Sequence, residues 1–273
     1  MRRYRWIVLG VALTAALSVA AIAAAKGIKI IERSDDFTLE PLGEGEADCG
    51  AKRAVAGGFF GEFNPGDETV LPFVSTREDE AEWRFRAGDL SGGPSVGTAY
   101  AYCAKKKKFR KLRESSEDET AAAGVLTSIT ADCEGNRRVV SGGFEFEDSF
   151  TIVTRSMRSG RGSWTVEVYS TGGPVEVEAF AYCAKKLKLK QRSSETSVSP
   201  GESETEEARC KRNQRVVSGG FDTDSDLAGS QVGIGTASRR AGKRAWEATA
   251  YAGSGQANDL TVLAYCLKQP KKK

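Results

Sequence analysis

The chain of 273 residues contains no histidine. Catalysis by Ser-His-Asp or Cys-His arrangements is therefore excluded, as is any metal site built on imidazole. Carboxylate or Ser-Lys mechanisms are compatible with the composition. However, an enzyme normally gathers its special residues in one place, whereas the distinctive residues of this chain occur in triplicate. We therefore expect a protein that is not an enzyme.

One motif occurs three times, in the order Cys, Val-x-Gly-Gly-Phe, Trp and Ala-Tyr-Cys. The copies run from Cys49 to Cys103, from Cys133 to Cys183 and from Cys210 to Cys266. The first copy differs in reading Ala-Val-Ala where the other two read Val-Val-Ser. This repetition indicates an architecture, and it does not identify a ligand.

The six cysteines occupy matching places, two in each copy. Pairing within each copy lets every unit close on itself, which predicts the bonds Cys49–Cys103, Cys133–Cys183 and Cys210–Cys266. Closing a loop of about 50 residues contributes roughly 4 kcal/mol in the chain-entropy model, enough to decide whether a small unit folds. The alternative is six reduced thiols in the core.

Each copy also contains one tryptophan, which could bind a ligand by stacking on a sugar ring if the indole were exposed. Three such residues would form three equivalent sites. The alternative is that each indole packs in the core beside a disulfide. These candidate ligand-binding residues are Trp83, Trp164 and Trp246.

An acidic segment follows Gly-Gly-Phe in every copy, and in the third it reads Asp222-Thr223-Asp224-Ser225-Asp226. Oxygen ligands at alternating positions suit calcium, so Asp222, Asp224 and Asp226 form a weak candidate site. The pattern departs from an EF-hand loop, because Leu227 stands where glycine is needed and Gly233 where glutamate is needed. The alternative is a solvated loop, and we expect no other cofactor.

Lysine-rich runs occur at residues 105–108, 185–190 and 271–273. They could contact an anionic envelope polymer or lipid headgroups. Lysines on edge strands also protect sheets against aggregation, so a solvated strand face is the alternative interpretation.

Residues 1–25 have the features of an export signal. Arg2, Arg3 and Arg5 precede an uncharged stretch rich in alanine and leucine at 6–25, which ends in small residues. Because twenty apolar residues can just cross a bilayer, an uncleaved membrane anchor is the alternative. Both interpretations place the repeats outside the cytoplasm, where disulfides persist.

The charge balance changes once this segment is set aside. The chain has 40 Lys and Arg against 37 Asp and Glu, and residues 1–25 contain three arginines and no acid. The remainder is therefore formally neutral. A nucleic-acid partner is not expected, because such binders normally carry a sustained basic surface.

Short β-branched runs alternate with glycine-rich turns throughout the repeats, at spacings near ten residues. This pattern predicts an all-β fold of three disulfide-stapled antiparallel modules. We expect units at 27–108, 109–190 and 191–273. We favour modules packed in tandem as sandwich-like bodies, and the alternative is that they close around a pseudo-threefold axis.

Over residues 49–266 the chain resembles uncharacterised secreted bacterial proteins built on Cys…Val-x-Gly-Gly-Phe…Trp…Ala-Tyr-Cys repeats. The resemblance implies an extracellular β-rich module with no assigned activity. No functional residues can be transferred from it.

These observations favour an exported repeat protein of the cell envelope or extracellular space, acting in adhesion, interaction or structure. The partner would be a protein or glycan outside the cell, and the membrane would be contacted only through 6–25 if that segment is retained. The alternative is a carbohydrate-binding protein with three equivalent sites. An extracellular protease inhibitor or an enzyme is less favoured.

Overall fold

The computed structural model describes residues 28–39, 42–61, 70–89, 95–109, 111–147, 150–185, 187–225, 233–253 and 257–270. The predicted signal or anchor at 1–25 lies outside this part of the chain. No helix within the described ranges has the length and apolar character needed to cross a bilayer.

The predicted all-β fold is confirmed, and the described residues form eighteen strands and one short 3-10 helix at Lys106–Lys108. The first six strands are β1 Ile30–Leu39, β2 Leu42–Asp48, β3 Arg53–Gly61, β4 Val70–Thr76, β5 Glu82–Asp89 and β6 Ser95–Ala104. The next six are β7 Arg113–Ala121, β8 Leu126–Asp132, β9 Arg137–Phe146, β10 Thr151–Arg158, β11 Ser163–Ser170 and β12 Val175–Lys185. The last six are β13 Leu189–Val198, β14 Ser203–Arg209, β15 Gln214–Asp222, β16 Gly233–Arg240, β17 Ala245–Ala252 and β18 Asn258–Lys268.

The strands form three six-stranded antiparallel sheets, and each sheet combines strands from two of these sets of six. Sheet 1 has the order β1-β6-β3-β16-β17-β14, sheet 2 the order β2-β5-β4-β9-β12-β7, and sheet 3 the order β13-β18-β15-β10-β11-β8. We call β1–β6, β7–β12 and β13–β18 the first, second and third units. Because sheet 1 joins the third unit to the first, the arrangement is the closed one. The unit boundaries expected from the sequence stay a prediction.

Antiparallel pairing places every second connection at the same end of the body. β1 starts at Ile30, opposite Ala104 at the end of β6 and next to Cys103. The cysteine end comprises residues 28–29 before β1, residues 269–270 after β18 and the described parts of the connections β2–β3, β4–β5 and β6–β7, with their equivalents in the other units. The remaining connections form the opposite end, which we call the acidic end.

The Gly-Gly-Phe motifs lie where the three units meet. A Cβ placed on Gly57 would lie 2.0 Å from the ring of Trp83, and one on Gly58 would lie 2.5 Å from the backbone oxygen of Ser238 in the neighbouring unit. The first glycine therefore makes room for an indole, and the second allows two strands to approach closely. The same two contacts are made by Gly142 and Gly143, and by Gly219 and Gly220.

The phenylalanines that follow the glycines meet between the units. Phe59 packs edge-on against Phe144 at 6.1 Å and against Phe221 at 6.3 Å between ring centroids. All three rings are buried. One aromatic cluster is thus shared by all three units, which ties their folding together.

A β-bulge precedes each glycine pair, and it supplies a further contact between units. Ser141 of the second unit donates a hydrogen bond to the backbone oxygen of Val55 at 2.7 Å, and Ser218 donates to the backbone oxygen of Val140. The first unit has Ala56 at this position. Its contact with the third unit therefore lacks the side-chain hydroxyl that the other two contacts use.

The three predicted cysteine pairings are confirmed. Cys103 lies in β6 of sheet 1, and its partner Cys49 directly follows β2 of sheet 2. A disulfide therefore fastens two different sheets together within one unit. The other bonds, Cys133–Cys183 and Cys210–Cys266, make the equivalent connections.

Candidate functional site

The tryptophans proposed as ligand-binding residues lie in the core, with exposed fractions of 1–2%. Each indole N–H donates a hydrogen bond to a serine of its own unit. As packed, the indoles cannot stack on a ligand at the surface. The bonds are Trp83 to Ser75 at 3.2 Å, Trp164 to Ser156 at 3.1 Å and Trp246 to Ser238 at 2.9 Å.

The tyrosines of the Ala-Tyr-Cys motifs complete this core. Tyr182 packs edge-on against Trp83 of the preceding unit at 5.3 Å, and its hydroxyl accepts a hydrogen bond from the backbone N–H of Arg77 at 2.7 Å. Tyr265 and Tyr102 make the matching contacts with Trp164 and Trp246 and accept from the backbone N–H of Arg158 and Arg240. Burial raises the pKa of all three phenols above their ordinary value. These groups act as neutral structural residues.

The structure describes two of the three candidate calcium ligands, Asp222 and Asp224. The Asp222 carboxylate lies 2.9 Å from Nε of Arg155 and accepts a hydrogen bond from the backbone N–H of Asp224. Asp226 lies outside the described residues. In the described ranges no group of three or more carboxylate or cysteine side chains could hold a metal ion. Because Asp222 already faces a cation, the calcium site stays a prediction without further support.

The lysines are gathered at the cysteine end. Every lysine of the described residues lies in a connection of that end or within two residues of it. Side chains such as Lys185, Lys188, Lys211 and Lys243 are exposed. Lysines that are far apart in the sequence therefore share one surface.

The acidic end has the opposite composition. Among the described residues its connections contain no lysine or arginine. Their described acidic residues are Glu147, Glu202 and Asp224. The described part of the chain thus gathers its lysines at one end, away from these carboxylates, which creates a directional field.

The second unit has a groove at the cysteine end, between the β8–β9 and β10–β11 connections. Asp132, Asn136, Arg137, Arg138 and Arg161 line it. No carboxylate among the described residues forms an ion pair with these three arginines. Burial lowers the pKa of nearby Arg158, and the positive charges of Arg138 and Arg161 lower it further. The groove therefore holds three guanidinium groups and one carboxylate, that of Asp132, which accepts a hydrogen bond from the Ser163 hydroxyl.

The first unit differs at the same end. Its β4–β5 connection contains Glu78-Asp79-Glu80, and Glu80 pairs with Arg53 and with Lys106. The equivalent connections of the other units contain Arg161, and Lys243 with Arg244, and no acid. The β10–β11 and β16–β17 connections are consequently more basic than the β4–β5 connection.

Sequence reasoning found the lysine runs and missed the groove arginines. Arg137 and Arg138 begin β9, whereas Arg161 lies in the connection between β10 and β11. The sequence signal was the Arg137-Arg138 pair shortly after Cys133, and it did not indicate that Arg161 would lie beside this pair.

No family model matches the chain, and no curated protein matches it either. The resemblance to secreted bacterial β-repeat proteins therefore stays a prediction.

Proposed function

We propose that the chain is an exported, non-enzymatic protein of the cell envelope or extracellular space that acts as an interaction or adhesion module. The observation that carries this proposal is the collection of the lysines at one end of a disulfide-stapled body, opposite an acidic end. A rigid body with fixed surface charges can bind a charged partner without the entropic cost of ordering mobile groups.

The three disulfides support the exported location, because such bonds persist in oxidising compartments. The large aromatic residues of the repeat are used in packing between units. Interaction is therefore assigned to the charged ends, and no glycan site is assigned to the buried tryptophans.

Fractionation of cells that express the full chain tests this proposal. We expect the protein in the envelope or the medium, with no free thiol detected by mass spectrometry. We also expect that it binds isolated envelopes at low salt and is released at high salt, because screening weakens contacts between exposed charges. A reduced protein in the cytosol, or envelope binding that high salt does not affect, would contradict the proposal.

A further inference from the structure

The cysteine end receives the chain directly after the hydrophobic stretch 6–25. Only Lys26 and Gly27 separate that stretch from the described residues, and β1 starts at Ile30 at the cysteine end. An extended chain spans at most about 3.5 Å per residue, so Ile30 lies within roughly 20 Å of the end of the stretch. If 6–25 is retained in a bilayer, the lipid surface faces this end and not the acidic end.

The charges of the cysteine end complement an anionic lipid surface. Lys185, Lys188, Lys211 and Lys243 are exposed there, and the groove arginines lack carboxylate partners among the described residues. Basic side chains near an anionic membrane are attracted to its surface potential, an effect that acts within about a Debye length. The length of the tether keeps the body close enough for this attraction to act.

From this juxtaposition we infer that the cysteine end docks on an anionic phospholipid surface, with headgroup phosphates contacting Arg137, Arg138 and Arg161. The acidic end then points away from the membrane, because the reverse orientation would bring Glu147, Glu202 and Asp224 against the anionic surface. This inference rests on the proposed function, because it assumes a chain anchored on the exported side.

Lysine acylation measured by mass spectrometry tests the docking on the full chain in bilayer discs. In discs of phosphatidylcholine with phosphatidylglycerol, we expect the four exposed lysines to react several-fold more slowly than in discs of phosphatidylcholine alone. High salt should abolish the difference. Glu147 and Asp224 are exposed at the acidic end. Carbodiimide labelling of their carboxylates therefore gives an internal control that should not change.

Variants of the groove connect this protection to the proposed contact. Each basic side chain near the surface is worth about fivefold in the docking equilibrium, so R137Q/R138Q/R161Q should weaken docking on the order of 100-fold and remove the protection. R161Q alone should reduce it about fivefold, whereas R33Q, an equal charge change at an exposed position of β1 three residues from Ile30, should reduce it less, because Arg33 lies about a Debye length from the cysteine end. The lysine reporters are intact in every variant.

Several results would overturn the docking. These are equal acylation in both kinds of disc, equal loss of protection in R161Q and R33Q, or the same protection from inorganic phosphate added to phosphatidylcholine discs, which would indicate an anion site instead. Failure of the chain to remain with phosphatidylcholine discs would count against anchoring. Recovery of the chain in the cytosol would count against the proposed function, while salt-sensitive protection by anionic discs would still support the docking surface.

Discussion

The three units are alike in the interior of the body and differ at its cysteine end. In the interior, each unit contributes the same Gly-Gly-Phe motif, one Trp–Ser hydrogen bond and one tyrosine that reaches the neighbouring unit. At the cysteine end, the β4–β5 connection of the first unit contains Glu78 and Glu80, which pair with basic side chains, whereas the equivalent connections of the other two units contain basic residues and no acid.

Packing explains this difference. A contact that must fit between two neighbouring units leaves little choice of residue type, since interiors are close-packed. An exposed connection has no such constraint, so its charge can differ from unit to unit. We therefore expect the buried contacts that the units share to determine stability, and the exposed connections in which they differ to determine recognition.

The largest expected effect is on the pH dependence of stability. The pKa of the buried tyrosines is raised in the folded protein, so above their unfolded value of about 10 each phenol must lose its proton on unfolding. Their contribution is complete below that pH and is lost as pH rises from there towards the folded values. The slope is about 1.4 kcal/mol per pH unit for each phenol, or about 4 kcal/mol for three.

Urea unfolding on both sides of this pH measures the slope. Tyr265→Phe should make it shallower by about a third, since it removes one of three equivalent groups. Stability that does not fall in alkaline solution would show that the phenols are not buried in all three units.

Removal of one disulfide should cost about 4 kcal/mol, because the loops close over separations of 54, 50 and 56 residues. The double variants to alanine at Cys49/Cys103, Cys133/Cys183 and Cys210/Cys266 should lose similar amounts in denaturant unfolding. Costs that differ widely among the three would break the equivalence of the units.

Gly143→Ala should destabilise the protein by about 3 kcal/mol, because the added Cβ would lie 2.1 Å from the backbone oxygen of Ser75 in the first unit. The matched control is Gly173→Ala, whose Cβ would meet nothing within 4 Å. We expect the control to shift stability by no more than about 0.5 kcal/mol. Similar thermal shifts in the two variants would contradict the close approach of β4 and β9.

The smallest expected effect is a gain. Ala56→Ser should supply the hydroxyl that the contact between the first and third units lacks, and add about 1 kcal/mol by donating to the backbone oxygen of Val217. Ser141→Ala should lose a similar amount. A destabilising Ala56→Ser would mean that this contact is not equivalent to the other two.

The strands and the disulfides could be predicted from the sequence because both depend on local patterns that recur three times. The sharing of each sheet between two units could not be predicted. β4 pairs with β9 through only two residue pairs, Val74 with Glu145 and Ser75 with Phe144. The same alternation would be present if each unit kept its strands to itself. Closure thus depends on contacts between distant residues that leave no periodic signal.

The candidate sites show the same limit. Tryptophan at strand spacing fits a stacking site and a core position equally well, and only the neighbouring Gly57 and Ser75 decide between them. The groove at Arg138 and Arg161 depends on which connections meet at one end, a consequence of topology that composition does not reveal.

The closed arrangement of the units is the central claim, and nuclear Overhauser effects between aromatic rings test it most directly. Tyr102 of the first unit and Trp246 of the third have ring centroids 5.3 Å apart. We predict clear cross-peaks between their ring protons, of intensity similar to those between Trp83 and Tyr182. Cross-peaks for the second pair without any for the first would show an open row of units and contradict the account.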